Sequence, residues 1–190
     1  MTEAVAPITL LQRLRTETRP SHDAVEQNGF AQSMRAGTLT LATTQYFLAK
    51  MYGFLKPYED RLQEFSWAPA WEIERRLRAH LILSDLESGP DAAALPLCPA
   101  MPPLHTRAEL LGAMYVLEGS TLGGQVISRE LAKAGISART YFEGNRERTG
   151  PLWKSFCHLL SEAAVEEDDN DIVLSARRTF EHLEAWLNHE

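Results

Sequence analysis

Four glycines stand inside one apolar helical stretch, ELLGAMYVLEGSTLGGQVISREL, residues 109–131: Gly112, Gly119, Gly123 and Gly124. Each interior glycine costs a helix about 1 kcal/mol relative to alanine, so this element gives up about 4 kcal/mol, a large share of the ~5–15 kcal/mol that holds a domain together. Something must come very close to that backbone. Removing the Cβ lets a flat ligand or a neighbouring helix lie directly against the peptide groups.

The spacing of apolar residues is helical almost throughout the 190 residues, with no alternating strand pattern and no internal repeat. Leu11, Leu14, Thr18, His22 and Val25 recur every third or fourth residue and predict one face of a first helix of about 20 residues. Pro20 removes an amide donor, so that helix either kinks there or restarts with Thr18 as its cap. A second helix follows Thr40 through Tyr46, Met51, Phe54, Tyr58, Leu62 and Phe65, with a kink at Pro57. Pro69 opens a third, carrying Trp71, Leu77 and Leu81.

Five of the ten prolines fall between Ser88 and His105, which reads as a loop within one core. Thr106 and Glu109 make a capping box for the glycine-bearing helix, and Gly135 is placed to end it. Pro151 opens a helix through Leu152, Phe156, Leu159 and Leu160. The acidic run EEDDND, residues 166–171, then leads, with Asp169 or Asn170 as cap, into a last helix through Val173, Ala176, Phe180, Leu183 and Leu187. The expectation is one all-α domain over residues 1–190, a bundle of roughly six or seven helices.

Composition excludes several function classes. A formal net charge of −7 argues against a nucleic-acid surface, where a basic patch is expected. No apolar run reaches the ~18 residues of a membrane span. MTEAVAPITLLQRL has neither a basic leader nor a secretory apolar region, and Cys98 and Cys157 match no metal or redox spacing, so a cytoplasmic protein with reduced thiols is expected.

Of six histidines, His22 stands out because it shares the first apolar stripe and has Glu26 one turn later. An imidazole can ligate iron through one nitrogen while the other donates to a carboxylate. A core histidine paired with Glu26 is the plain structural alternative. His80, His105, His158, His182 and His189 flank charged or loop residues and read as surface or capping groups. A carboxylate-bridged di-iron bundle needs Glu-x-x-His pairs, and there are none. The acidic run lacks the spacing of a calcium loop, and no nucleophile elbow, P-loop or dinucleotide fingerprint is present.

LRTETRPSHDAVE, residues 14–26, and YVLEGSTLGGQVISREL, residues 115–131, together resemble the proximal and distal helices of the heme oxygenase family. YFEG at 141–144 and GPLWKSF at 150–156 are similar to a further stretch of bacterial members. The resemblance implies a helical fold clamping heme between His22, the iron ligand supported by Glu26, and a kinked distal helix whose Gly119 and Gly123 leave room for dioxygen. Gly124 belongs to the same cofactor-facing set. Heme is then both cofactor and substrate, opened to biliverdin, carbon monoxide and ferrous iron with electrons from an outside ferredoxin or reductase. Biliverdin for a phytochrome, or iron release, is the implied use. Arg15 and Arg19 match basic positions of the proximal helix and are expected to meet the heme propionates; Lys154, Arg177 and Arg178 are later candidates.

One position departs from the pattern. Many family members carry an aspartate directly after the glycine matching Gly119, and this chain has Ser120, which donates and accepts a hydrogen bond but carries no charge. Glu118 is a substitute only if the helix unwinds at Gly119. Two alternatives stay open: a heme-binding or heme-sensing protein without efficient turnover, and a thiaminase-type enzyme of the broader fold.

Overall fold

The computed structural model describes residues 9–86 and 94–189, and over these the chain forms ten α-helices and no strand. In chain order they are α1 (Leu10–Glu17), α2 (Arg19–Val25), α3 (Gly29–Ala36), α4 (Leu41–Gln63), α5 (Ile73–Arg76), α6 (Ala79–Asp85), α7 (Arg107–Lys133), α8 (Thr140–Glu143), α9 (Thr149–Ala163) and α10 (Asp169–Asn188). The expected six or seven helices are therefore more numerous and shorter, because local breakers divide two of the stretches and the short α3 and α8 are additional.

The predicted first helix is two. Thr9 and Gln12 close a capping box on α1, and the chain restarts at Thr18 with Pro20 in the first turn of α2. Thr18 does not cap with its side chain; its hydroxyl donates back to the Leu14 carbonyl at 2.7 Å. Asn28 then caps α3, accepting from the Ala31 amide at 3.0 Å, an element that the apolar spacing missed. The predicted third helix breaks into a 3-10 turn at Pro69–Trp71, a left-handed Glu72 (φ 45°), the four-residue α5 and then α6. α4 is one helix with Pro57 inside it.

α7 is hydrogen-bonded without a break through all four glycines, and its predicted capping box is present. It ends in a Schellman motif: Gly135 takes φ 72°, Ile136 N–H reaches the Leu131 carbonyl at 2.9 Å, and Gly135 N–H reaches Ala132 at 3.0 Å. The cap of α10 is Asp168, one residue before the predicted pair; its carboxylate accepts from Asn170 N–H at 2.7 Å. The proline-rich loop lies partly outside the described residues, at 87–93.

α7 and α10 form the central pair, and one glycine explains how closely they meet. A Cβ on Gly112 would stand 2.4 Å from the Ile172 carbonyl oxygen, so only a bare backbone fits there. Leu110, Leu111, Met114 and Leu117 on the first half of α7 are fully buried, with Phe54 of α4 and Phe156 of α9. No helix among the described residues is long and apolar enough to cross a membrane.

Candidate functional site

The four α7 glycines divide into two pairs. Gly124, like Gly112, faces protein: its Cβ would meet the Phe142 carbonyl oxygen of α8 at 2.4 Å, so close packing already accounts for it. Gly119 and Gly123 are different. Nothing lies within 4 Å of a Cβ on Gly123, and a Cβ on Gly119 would meet only the Trp153 ring, at 3.6 Å. Four residues apart, they lie roughly 40° from each other around the helix. Leu122 and Val126 continue the same strip and are 47% and 50% exposed, so α7 presents an apolar band with little side-chain relief.

The α1–α2 junction meets α7 beside this band. Thr18, one turn before His22, lies near the phenol of Tyr115, one turn before Gly119. Burial pushes the Tyr115 phenol up; nearby Cys157 adds to that shift, while Arg15 and Thr18 oppose it. The expected stripe is only partly buried: Leu14 and Thr18 are inside, Leu11 and Val25 are half-buried, and the His22 side chain is 49% exposed. A buried core histidine is thereby excluded. The His22 ring stands edge-on to Phe180 of α10 at 5.6 Å. Its Nδ1 is 3.6 Å from Asp23 and its Nε2 is 3.8 Å from Glu26, so neither carboxylate yet holds it by a hydrogen bond. These three exposed groups are close enough to share a metal ion.

The two proximal arginines differ. Arg19 is taken by Asp23, at 2.9 and 3.1 Å, whereas Arg15 makes no ion pair among the described residues. Lys154, Arg177 and Arg178 are exposed, and Arg178 lines a separate hollow with Thr106, Glu109 and Asp171. Among the remaining histidines, His158 faces Glu162 at 3.5 Å, and the His182 ring meets the Ala100 carbonyl.

Behind the glycine band lies a cavity of about 120 Å³, with Val25, Met51 and Leu183 among its apolar lining and Asn28, Ser120 and Arg78 among its polar lining. The Ser120 hydroxyl donates to the Leu117 carbonyl at 2.7 Å, and Arg78 Nη2 donates to the same oxygen at 2.6 Å. Glu118 turns the other way and is buried against Arg76 without any unwinding of α7, so it does not substitute for the missing aspartate. Sequence reasoning missed Arg76, Arg78 and Glu59. In the ERRLR run, residues 74–78, only tertiary packing reveals that two of the three arginines are inside.

No known family profile matches the chain. A heme oxygenase of Xanthomonas campestris pv. campestris is 29% identical over 169 residues, spanning 84% of this chain and 97% of the relative. In sequence the chain is similar to a heme oxygenase along most of its length. The fold agrees. The heme oxygenase of Leptospira interrogans superposes with a TM-score of 0.76 at 18% identity, covering 94% of this chain and 98% of that one. Heme oxygenase-1 of Synechocystis sp. PCC 6803, solved in complex with heme, gives 0.72 at 15% identity over 95% of this chain and 91% of its own. Heme oxygenase-2 of the same cyanobacterium, solved with heme and NO, gives 0.69 at 17% over 94% and 84%.

Proposed function

We propose that this chain opens heme to biliverdin, carbon monoxide and ferrous iron, using dioxygen and electrons from an external ferredoxin or reductase. The observation that carries this reading is the bare backbone at Gly119 and Gly123 on an exposed apolar strip of α7, beside the helix pair that carries His22. The cavity alone, at about 120 Å³, is smaller than the ~300–1,000 Å³ of ordinary ligand pockets, so a porphyrin would lie on the open strip with the cavity at its inner edge.

The residues present fit that group. His22 would hold the iron through one ring nitrogen, and the carboxylate beside the other, Asp23 at 3.6 Å from Nδ1 or Glu26 at 3.8 Å from Nε2, would fix its tautomer. Arg15, unpaired on α1, is the better placed cation for a propionate, while Arg19 must first leave Asp23. Bound heme would supply the iron at which dioxygen is reduced. Gly119 and Gly123 leave space over it, and Ser120 borders that space with its hydroxyl proton committed to Leu117.

That last contact also favours a second reading, heme binding without efficient turnover, because Ser120 carries no charge and Glu118 is turned inward against Arg76. Cytoplasmic biliverdin supply to a phytochrome, or iron release, is the role we attach to the first reading. Adding hemin and then ascorbate or a reductase, with catalase present, separates the two. A Soret band that decays to a biliverdin spectrum supports cleavage. A band that persists supports the second reading, and no band rejects both.

A further inference from the structure

Along the face of α7 that carries the bare glycines, cover stops abruptly. Tyr115, Gly119, Leu122, Gly123 and Val126 follow at three- and four-residue steps, so they share one side of the helix. The Trp153 ring of α9 lies tilted beside Tyr115, with ring centres 5.7 Å apart. It reaches as far as Gly119, where a Cβ would stand 3.6 and 3.7 Å from its Cη2 and Cζ3 atoms. Nothing lies within 4 Å of a Cβ on Gly123, and Leu122 and Val126 are exposed. Trp153 therefore closes the strip on its Tyr115 side and leaves the Val126 side open.

The indole is a firm wall. It is half-buried, and besides Tyr115 it packs on the fully buried Phe156, with ring centres 5.6 Å apart. An aromatic side chain turns about only two bonds, so a ring held on two neighbours yields little to the edge of a ligand. From Gly119 to Val126 the strip runs about 10 Å along the helix axis, so a flat ring of porphyrin size covers most of it and its near edge comes up to the indole. Arg15 of α1 is close enough to oppose the rise of the Tyr115 phenol, so a cation stands at the same end. A plate free to slide or turn in its own plane would present every edge in turn. A stop on sliding, with a cation for the anionic groups, leaves one edge over the bare backbone.

We infer that Trp153 is the end stop of this strip and a specificity-determining residue: its indole fixes where along α7 a flat ring lies, and thereby which meso edge of a porphyrin is held over Gly119 and Gly123. The inference rests on the heme reading proposed above and adds to it the residue that selects the site of opening.

The seat is read first without turnover, by proton NMR of the native protein with zinc protoporphyrin, which is diamagnetic. The Trp153 indole signals are assigned by their loss in Trp153→Phe. A porphyrin ring current deshields protons beyond its edge and shields those above its face, so an end stop predicts a downfield shift of the indole protons. An upfield shift, from an indole lying on the face, or no shift at all overturns the stop. With hemin and a reductant, Trp153→Ala should lower the ratio of the main biliverdin isomer to the others at least about tenfold, the low end for a steric wall of this kind. W153F keeps an aromatic wall and should keep the native ratio. An unchanged ratio in W153A overturns the specificity role, and the shift, measured on the native chain, decides the stop even should W153A fail to fold. Failure of the native protein to bind zinc protoporphyrin overturns the heme reading and the stop with it, whereas a bound porphyrin with unshifted indole protons overturns the stop alone.

Discussion

Arg76 donates to Glu118 inside the protein, and the two side chains are 1% and 8% exposed. Arg76 Nε also donates to the Trp71 carbonyl at 2.7 Å, so the chain before α5 and the middle of α7 are tied together one residue before Gly119. The pair fixes how α7 is rotated where its bare strip begins. Breaking a buried pair strands a charge, so Glu118→Ala should cost about 3–5 kcal/mol in urea unfolding. The double change Arg76→Met with Glu118→Leu should cost less than E118A alone, because no charge is left unpaired. A double variant as unstable as the sum of its singles would show that packing, not charge, is what the pair supplies.

The glycines make opposite predictions within one helix. Gly112→Ala and Gly124→Ala each drive a methyl to 2.4 Å from a carbonyl oxygen, and overpacking of that kind costs about 1–3 kcal/mol. Gly123→Ala meets nothing and should stabilise the heme-free protein by up to about 1 kcal/mol through helix propensity. The bulkier Gly123→Val should nevertheless weaken hemin binding, since it adds branched carbon to the strip a porphyrin would cover. Thermal unfolding of the three alanine variants beside hemin titration of G123V checks both halves; unchanged hemin affinity in G123V would remove the strip from the site.

The helical core is legible in the sequence because its cause is local: three-and-four spacing, capping boxes at Thr40 and Thr106, and Gly135 at a left-handed position all act within a few residues. Thr18, Glu72 and Asn28 break or start helices through backbone choices that apolar spacing does not register. In the candidate site, His22, Glu26, Gly119 and Gly123 are singled out by residue type and interval. Gly124 lines the cavity too, but the Phe142 carbonyl that leaves it no room for a side chain is brought in from α8 and cannot be read from spacing. Arg76, Arg78 and Glu59 stay hidden because nothing in a charged side chain's neighbours along the chain says that it will be buried.

Burial raises the Glu59 carboxyl above its ordinary value of 4.5, against the opposing hydrogen bonds from Arg78 and Ala79 and the charges of Arg78 and His80. Its folded form therefore holds a proton that the unfolded chain has already released. The stabilising effect of that proton is complete below the ordinary carboxyl range and disappears as pH rises through the raised value. Relative to Glu59→Gln, which does not titrate, the native protein should lose stability as pH climbs from about 4 toward neutrality. Paired urea unfolding of both proteins across that window measures the difference; a difference independent of pH would show that Glu59 is as easily ionised folded as unfolded.

His22 carries the chemical expectation, and its setting shapes the test. The ring is half-exposed, packed edge-on against Phe180, and has carboxylates at 3.6 and 3.8 Å on its two nitrogens. Iron on one nitrogen would leave the other to donate to a carboxylate, which raises the basicity of the ligand. His22→Ala should therefore abolish the histidine-type spectrum of the hemin complex and stop ring opening, while the fold stays intact because no residue of α2 is fully buried. Since the position is open to solvent, added imidazole should restore much of the spectrum. Glu26→Gln keeps the ligand and weakens its support, so hemin affinity should fall by about tenfold, the low end for a partner of a metal ligand, because Glu26 is exposed. An H22A protein with an unchanged Soret band and normal biliverdin output would place the iron on another side chain.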